Sequence, residues 1–146
     1  MNIKKVVIGS DHAGYDLKET IKKHLATKGI EVEDKGPVSA DSVDYPDYAH
    51  PVAKDVINDA TILGILICGS GNGINMTANK HQAIRSALCW KPEIAELARL
   101  HNNANIMALP ARFISNEEAL KCVDVFLTTD FEGGRHQNRV DKIACC

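Results

Sequence analysis

The sequence predicts an α/β protein: a single-domain, Rossmann-like three-layer sandwich in which a five-stranded parallel sheet is flanked by helices. Two observations carry that prediction. Five apolar or β-branched runs alternate with helical patterns along the chain. Polar, glycine-bearing loops also leave the first and third runs, where a parallel α/β sheet opens its ligand crevice. Parallel strands need crossover connections, and the intervening helices supply them.

The elements follow in order. Residues 3–9 form an apolar strand, and 14–28 carry a helical pattern through Leu17, Ile21 and Leu25 that stops at Gly29. A short strand at 30–34 precedes a loop at 35–46 containing Gly36, Pro37, Ser39 and Pro46. A helix over 47–59, a strand at 62–67 and a helix at 73–81 come next. Strand 84–89, helix 92–101, strand 105–109 and helix 115–127 complete the series. No internal repeat, low-complexity tract or linker interrupts residues 1–146, so one domain is expected.

Composition narrows the function classes. The chain has 146 residues, enough to bury a core without metal or disulfide support. A net charge of −2 and a pI near 6.3 give no global reason to bind nucleic acid or an anionic membrane, so anion recognition must be local. No apolar stretch reaches bilayer length and no signal-peptide pattern opens the chain, so a cytoplasmic protein is expected. The five cysteines are odd in number and form no C-x-x-C pair, which points to reduced thiols rather than a disulfide framework or zinc knuckle. Cys89 and Cys122 read as small core residues, and Cys145 and Cys146 as a frayed, exposed end.

Cys68 differs because of its setting. Cys68-Gly69-Ser70-Gly71-Asn72-Gly73 follows an apolar strand and leads into a helix, which puts a thiol beside a row of free backbone N–H groups. The spacing is neither G-x-G-x-x-G, since position 74 is Ile, nor a P-loop, since no Gly-Lys-Ser/Thr follows. Alternate glycines nonetheless let the backbone approach a ligand and turn its amides toward one point, as an enediolate would require. Gly9-Ser10-Asp11-His12-Ala13-Gly14 leaves the first strand and is expected to lie beside this loop. Alone, Asp11 reads as a helix cap and His12 as a solvated loop residue. Beside Cys68 they become candidates for chemistry.

A second polar cluster lies downstream. His101-Asn102-Asn103-Ala104-Asn105 closes a helix, and a polar C-terminal cap explains the asparagines but not the histidine. In Glu132-Gly133-Gly134-Arg135-His136-Gln137-Asn138-Arg139, a helix starting after Gly134 would project Arg135 and Arg139 from one face. With Arg112 just past a strand end, these arginines read as a phosphate grip rather than a solvated basic face.

These motifs, with Asp44-Tyr45-Pro46 and Ala78-Asn79-Lys80, resemble the B-type ribose-5-phosphate isomerases and the wider group that includes galactose-6-phosphate isomerase subunits, from Ile3 to about Ile143. The resemblance implies an aldose–ketose isomerase of the non-oxidative pentose phosphate pathway, interconverting ribose 5-phosphate and ribulose 5-phosphate through an enediolate. It implies Cys68 as base, supported by Ser70, with the amides from Gly69 through Gly71 and Asn72 to Gly73 stabilising the enediolate. It implies His101 as the ring-opening acid/base, Asp11 beside the sugar oxygens, and Asn102 and Tyr45 positioning sugar. His12, Arg112, Arg135 and Arg139 resemble the family's phosphate ligands. No cofactor and no metal are implied. The family's dimers imply a homodimer with shared active sites, the span from His101 to Arg139 reaching into the other copy, with a tetramer as the larger alternative. One family variant replaces the cysteine by serine and adds a glutamate after the glycine loop; Cys68 and Ile74 place this chain with the cysteine type.

Two readings from different classes remain open at this stage. One is the isomerase, with allose 6-phosphate or galactose 6-phosphate as alternative substrates. The other is a noncatalytic phosphosugar-binding module. Cys68, Ser70, Asp11 and His101 together favour the enzyme, because phosphate binding alone needs only arginines and amides.

Overall fold

The computed structural model describes residues 1–144. Five parallel strands form one sheet in the order β2-β1-β3-β5-β4. They are β1 (Lys5–Ser10), β2 (Glu31–Asp34), β3 (Ile62–Cys68), β4 (Ser86–Leu88) and β5 (Ile106–Pro110). Helices α1 (Tyr15–Thr27), α2 (Tyr45–Asn58), α3 (Asn72–Ala78), α4 (Pro92–Leu100), α5 (Asn116–Thr128) and α6 (Arg135–Asp141) complete the chain. The expected α/β sandwich is therefore the fold observed.

Side-chain alternation along the strands divides the core into two layers. Val6, Ile8, Ile65, Ile67, Met107 and Leu109 face one side, where Leu17, Ile21 and Leu25 of α1 and Phe126 of α5 cover them. Val7, Leu66, Cys68, Ile106 and Ala108 face the other, under Ala49, Val52 and Val56 of α2 and Ile74 of α3. Cys68 thus shares a layer with α2 and α3, which decides what its thiol can meet.

Most element boundaries fall within a residue or two of expectation, and three departures have clear causes. The second helix starts at Tyr45, inside the segment expected to be loop, with Pro46 in its first turn. A proline there fixes a helical φ and costs no hydrogen bond, because first-turn N–H groups have no partner within the helix. Strand β4 is only Ser86–Leu88 because it is a sheet edge, pairing with β5 alone. Helix α3 ends at Ala78, three residues before expectation, where Asn79 turns its side chain to bond the backbone of Ser86 on both sides. The conditional helix after Gly134 is present as α6. Cys145 and Cys146, expected to be frayed, lie outside the described residues. No helix among the described residues is long and apolar enough to cross a membrane.

Candidate active site

Strands β1 and β3 are neighbours, with Ser10 in register with Ile67. The order reverses across this pair, since β2 lies beyond β1 while β5 and β4 lie beyond β3. Chain connections on either side therefore diverge, and the loops after β1 and β3 face one crevice.

The Asp11 backbone N–H donates to the Ile67 carbonyl at 3.1 Å, tying the two loops at their roots. Its carboxylate Oδ1 accepts from the Gly14 N–H at 3.0 Å and so closes the turn into α1. Asp11, which is buried, thus closes the loop ahead of α1 rather than capping the helix, whose N-cap is Gly14 with no side-chain cap bond. The His12 ring meets the backbone of Val43 through Nδ1 at 3.3 Å, which links the first loop to the segment leading into α2.

Cys68 ends β3, 4 % exposed. Its carbonyl accepts from the Ala111 N–H at 2.9 Å, and the Gly69 carbonyl accepts from the Arg112 N–H at 3.0 Å. The chain leaving β5 is thereby folded over the glycine loop. The Arg112 guanidinium lies on Gly69, whose missing Cβ would stand 3.3 Å from Nη1. Gly71 takes the left-handed conformation, φ 76°, that lets the loop turn into α3. Ser70 is exposed, and its hydroxyl accepts from the Asn72 N–H at 3.2 Å. Tyr45, at the start of α2, lays its ring against Gly73.

Among the described residues, the other two cysteines are core side chains. Burial pushes the thiols of Cys89 and Cys122 up, to about 12 and about 11, so both are protonated core side chains, as expected.

His101 and Asn102 lie elsewhere. Asn105, on the same loop, accepts and donates at Arg85 and Gly64, just before β4 and early in β3, so this loop sits at the amino edge of the sheet. Cys68 pairs with Pro110 at the carboxyl edge, whereas Gly64 pairs with Ile106. Five residues of β5 separate the two edges, roughly 13 Å at strand rise. His101 cannot reach Cys68 of its own chain.

The cluster containing His101 is built from distant segments. The buried Arg99 donates through Nε to the Thr129 carbonyl at 3.1 Å and through Nη1 to the Ala104 carbonyl and the Asn103 side chain. The Glu132 N–H donates to the Leu100 carbonyl at 3.0 Å, which brings the start of α6 to the end of α4. His136 then stacks on His101, ring centroids 4.1 Å apart and 13° from parallel. Arg135 and Arg139 stand exposed on α6, and Asn102 lines a surface cavity with Asn79, Arg85 and Ile143.

Arg112 departs from the expected span: it joins the Cys68 crevice of its own chain, while Arg135 and Arg139 lie with His101. The sequence motifs contain Glu132 and His136 without marking a role for them, and nothing in the sequence singles out Arg99. Only their separations in sequence were visible, 33 residues from Arg99 to Glu132. His101, Glu132 and His136 together place ligand-type atoms within 4.8 Å of one another, a cluster that spacing did not suggest. Near-parallel stacking sets the two ring nitrogens side by side, however, and a metal held at about 2.0–2.1 Å needs their lone pairs to converge.

A parallel α/β sheet that sets a thiol, a carboxylate and an amide-rich loop at one crevice has the makings of an enzyme site for an anionic ligand, and comparison with known proteins gives its class. The sequence profile of the Ribose/Galactose Isomerase family matches residues 6–143, and the chain belongs to that family. It is 45% identical over 141 residues to ribose-5-phosphate isomerase B of Escherichia coli, covering 97% of this chain and 95% of the relative. The ribose 5-phosphate isomerase of Thermotoga maritima is 51% identical, with a TM-score of 0.95 over 97% of this chain and 98% of that one. The Mycoplasma genitalium ribose-5-phosphate isomerase B, solved with bound ribulose-5-phosphate, is 47% identical, with a TM-score of 0.93 over 97% and 94%.

Proposed function

We propose that this chain interconverts ribose 5-phosphate and ribulose 5-phosphate as a homodimer whose active sites each draw on two copies. The observation that carries this reading is the separation of the polar clusters. Cys68, Asp11, His12, Tyr45 and Arg112 gather at the carboxyl edge of the sheet, while His101, Asn102, Arg135 and Arg139 gather at the amino edge. A two-fold pairing that sets one copy's carboxyl edge against the other's amino edge completes two equivalent sites. The family and the ribulose-5-phosphate-bound relative supply the substrate class.

The chemistry divides between the two clusters. His101 of the second copy takes the proton from the O1 hydroxyl of the furanose and delivers a proton to the ring oxygen. The C1 to ring-oxygen bond breaks, leaving an aldehyde at C1 and a hydroxyl at C4. Cys68, as thiolate, then removes the C2 proton, and the electron pair moves to form the enediolate. Negative charge develops on O1, where the amides of 69–73 stabilise it more than they stabilised the neutral carbonyl. Return of the proton to C1, with transfer of the O2 proton to O1, gives the ketose. Asp11, Ser70, Tyr45 and Asn102 orient the hydroxyls, and His12 with the three arginines holds the phosphate dianion.

A panel assay with ribose, allose and galactose phosphates tests this directly. Ribose 5-phosphate should be the preferred substrate of the pure protein. Turnover confined to a six-carbon phosphate would replace the substrate assignment, and turnover of none would favour a binding module.

A further inference from the structure

His136 is 5 % exposed, and its Nε2 is buried without a hydrogen-bond partner among the described residues. A buried polar atom with no partner is costly, so its retention in the fold asks for a reason. Close to it stand the ring of His101, stacked at 4.1 Å, and the Glu132 carboxylate, whose Oε2 lies 4.0 Å from His136 Nε2 and 3.9 Å from His101 Nε2. Backbone bonds hold this arrangement from both sides: Glu132 N–H to the Leu100 carbonyl, and His136 N–H to the Gly133 carbonyl, each at 3.0 Å.

We propose that His136 is a positioning residue for His101: its buried ring, stacked on the His101 imidazole, fixes the plane of that ring. This rests on the proposed role of His101 in opening the sugar ring. Burial, then the His101 ring, holds His136 below the ordinary imidazole range; Arg135 and Arg139 act in the same direction and Glu132 opposes them. A ring-opening acid/base must serve two oxygens of one sugar, and an imidazole free to rotate would lose that alignment.

The experiment compares His136→Gln, His136→Phe and His101→Asn by two readouts: isomerisation of ribose 5-phosphate, and solvent deuterium wash-in at C1 of ribulose 5-phosphate. Wash-in reports enediolate formation from the open-chain ketose and needs no ring opening. His101→Asn should lower isomerisation by roughly a hundredfold and leave wash-in near normal. His136→Gln, which removes the stacking ring, should lower isomerisation by about tenfold, again with wash-in preserved. His136→Phe keeps an aromatic face against His101 and should recover most of that loss. A wild-type ratio of the two rates in His136→Gln, equal loss of both rates, or a Phe variant no better than Gln would each overturn the inference. A wild-type ratio in His101→Asn would instead overturn the ring-opening role beneath it.

Discussion

The ring of Tyr45 occupies the space that a side chain on Gly73 would need: a Cβ built there would stand 2.5 Å from Tyr45 Cζ and 2.8 Å from its hydroxyl. One residue opens α2 and the other lies in the first turn of α3, so the contact seals the two helices over the Cys68 layer. Gly73→Ala should push the Tyr45 ring outward, where it is already partly exposed, rather than unfold the protein. The expected result is a stability loss below about 1 kcal/mol with a raised KM, measured by urea unfolding and steady-state kinetics. An unchanged KM would remove Tyr45 from the list of sugar-positioning residues.

Cys68 should be separable into chemistry and packing. It is a small, buried side chain at a strand end, so Cys68→Ala leaves only a minor void. Isomerisation should fall by roughly 10²–10⁴-fold, and deuterium wash-in at C1 of ribulose 5-phosphate should fall with it, because proton removal is common to both. A folded variant with near-normal wash-in would exclude Cys68 as the base.

Mixed subunits test the sharing of sites. In a dimer of Cys68→Ala with His101→Asn, one site has both defects and the other has neither. Random reassortment of two inactive proteins should therefore recover about a quarter of wild-type activity, given a two-fold interface. Mass-confirmed subunit exchange with no recovered activity would show that Cys68 and His101 do not meet across copies.

Phosphate binding should distinguish the arginines by chemistry rather than position. Ala at Arg112, Arg135 or Arg139 should each weaken substrate binding by about 1.5–3 kcal/mol, and Lys should restore only part, since an ammonium lacks the planar fork. Unchanged kinetics in all three Ala variants would return them to a solvated surface.

The buried Lys18 gives a stability prediction with a defined pH window. Its ammonium, fully buried, meets Asp34 Oδ2 at 2.6 Å and the Pro37 carbonyl at 2.9 Å. Asp34→Ala leaves that charge with only the Glu19 carboxylate, at 3.3 Å, and should cost up to about 3–5 kcal/mol. Lys18→Met should cost less, because Asp34 keeps Lys22 at 2.7 Å. Burial alone would push the Asp34 carboxyl up, but bonds from Lys18, Lys22 and the Gly36 N–H together bring it below its ordinary value of 3.8. A depressed carboxylate stabilises the fold above that value and loses the contribution as pH falls through the lowered one. Wild-type protein should therefore lose more stability on acidification below pH 3.8 than Lys18→Met, measured by urea midpoints.

Much was legible in the chain itself. The five strands, their helices and the polar loops after β1 and β3 follow from local periodicity and punctuation, which depend on near neighbours in sequence. The Cys68 loop and the Asp11 loop could be placed side by side because parallel connections constrain the strand order so tightly. The family resemblance could name Tyr45, and its place past a strand end could mark Arg112, as site residues, but neither could show that they lie on Gly73 and Gly69.

Tertiary structure alone decided the rest. That Cys68 faces α2 and α3 is local, set by side-chain alternation along β3; that His101 lies at the far edge of the sheet depends on where α4 ends relative to β5. His136, Glu132 and Arg99 could not be read as supports for His101, because residues about 30 apart carry no periodic signal of contact. Sequence patterning specifies which face of each element is apolar, since every turn or strand buries its own surface. Which polar ends then meet is settled only when the whole chain packs, because those contacts join segments whose only connection is the shared core.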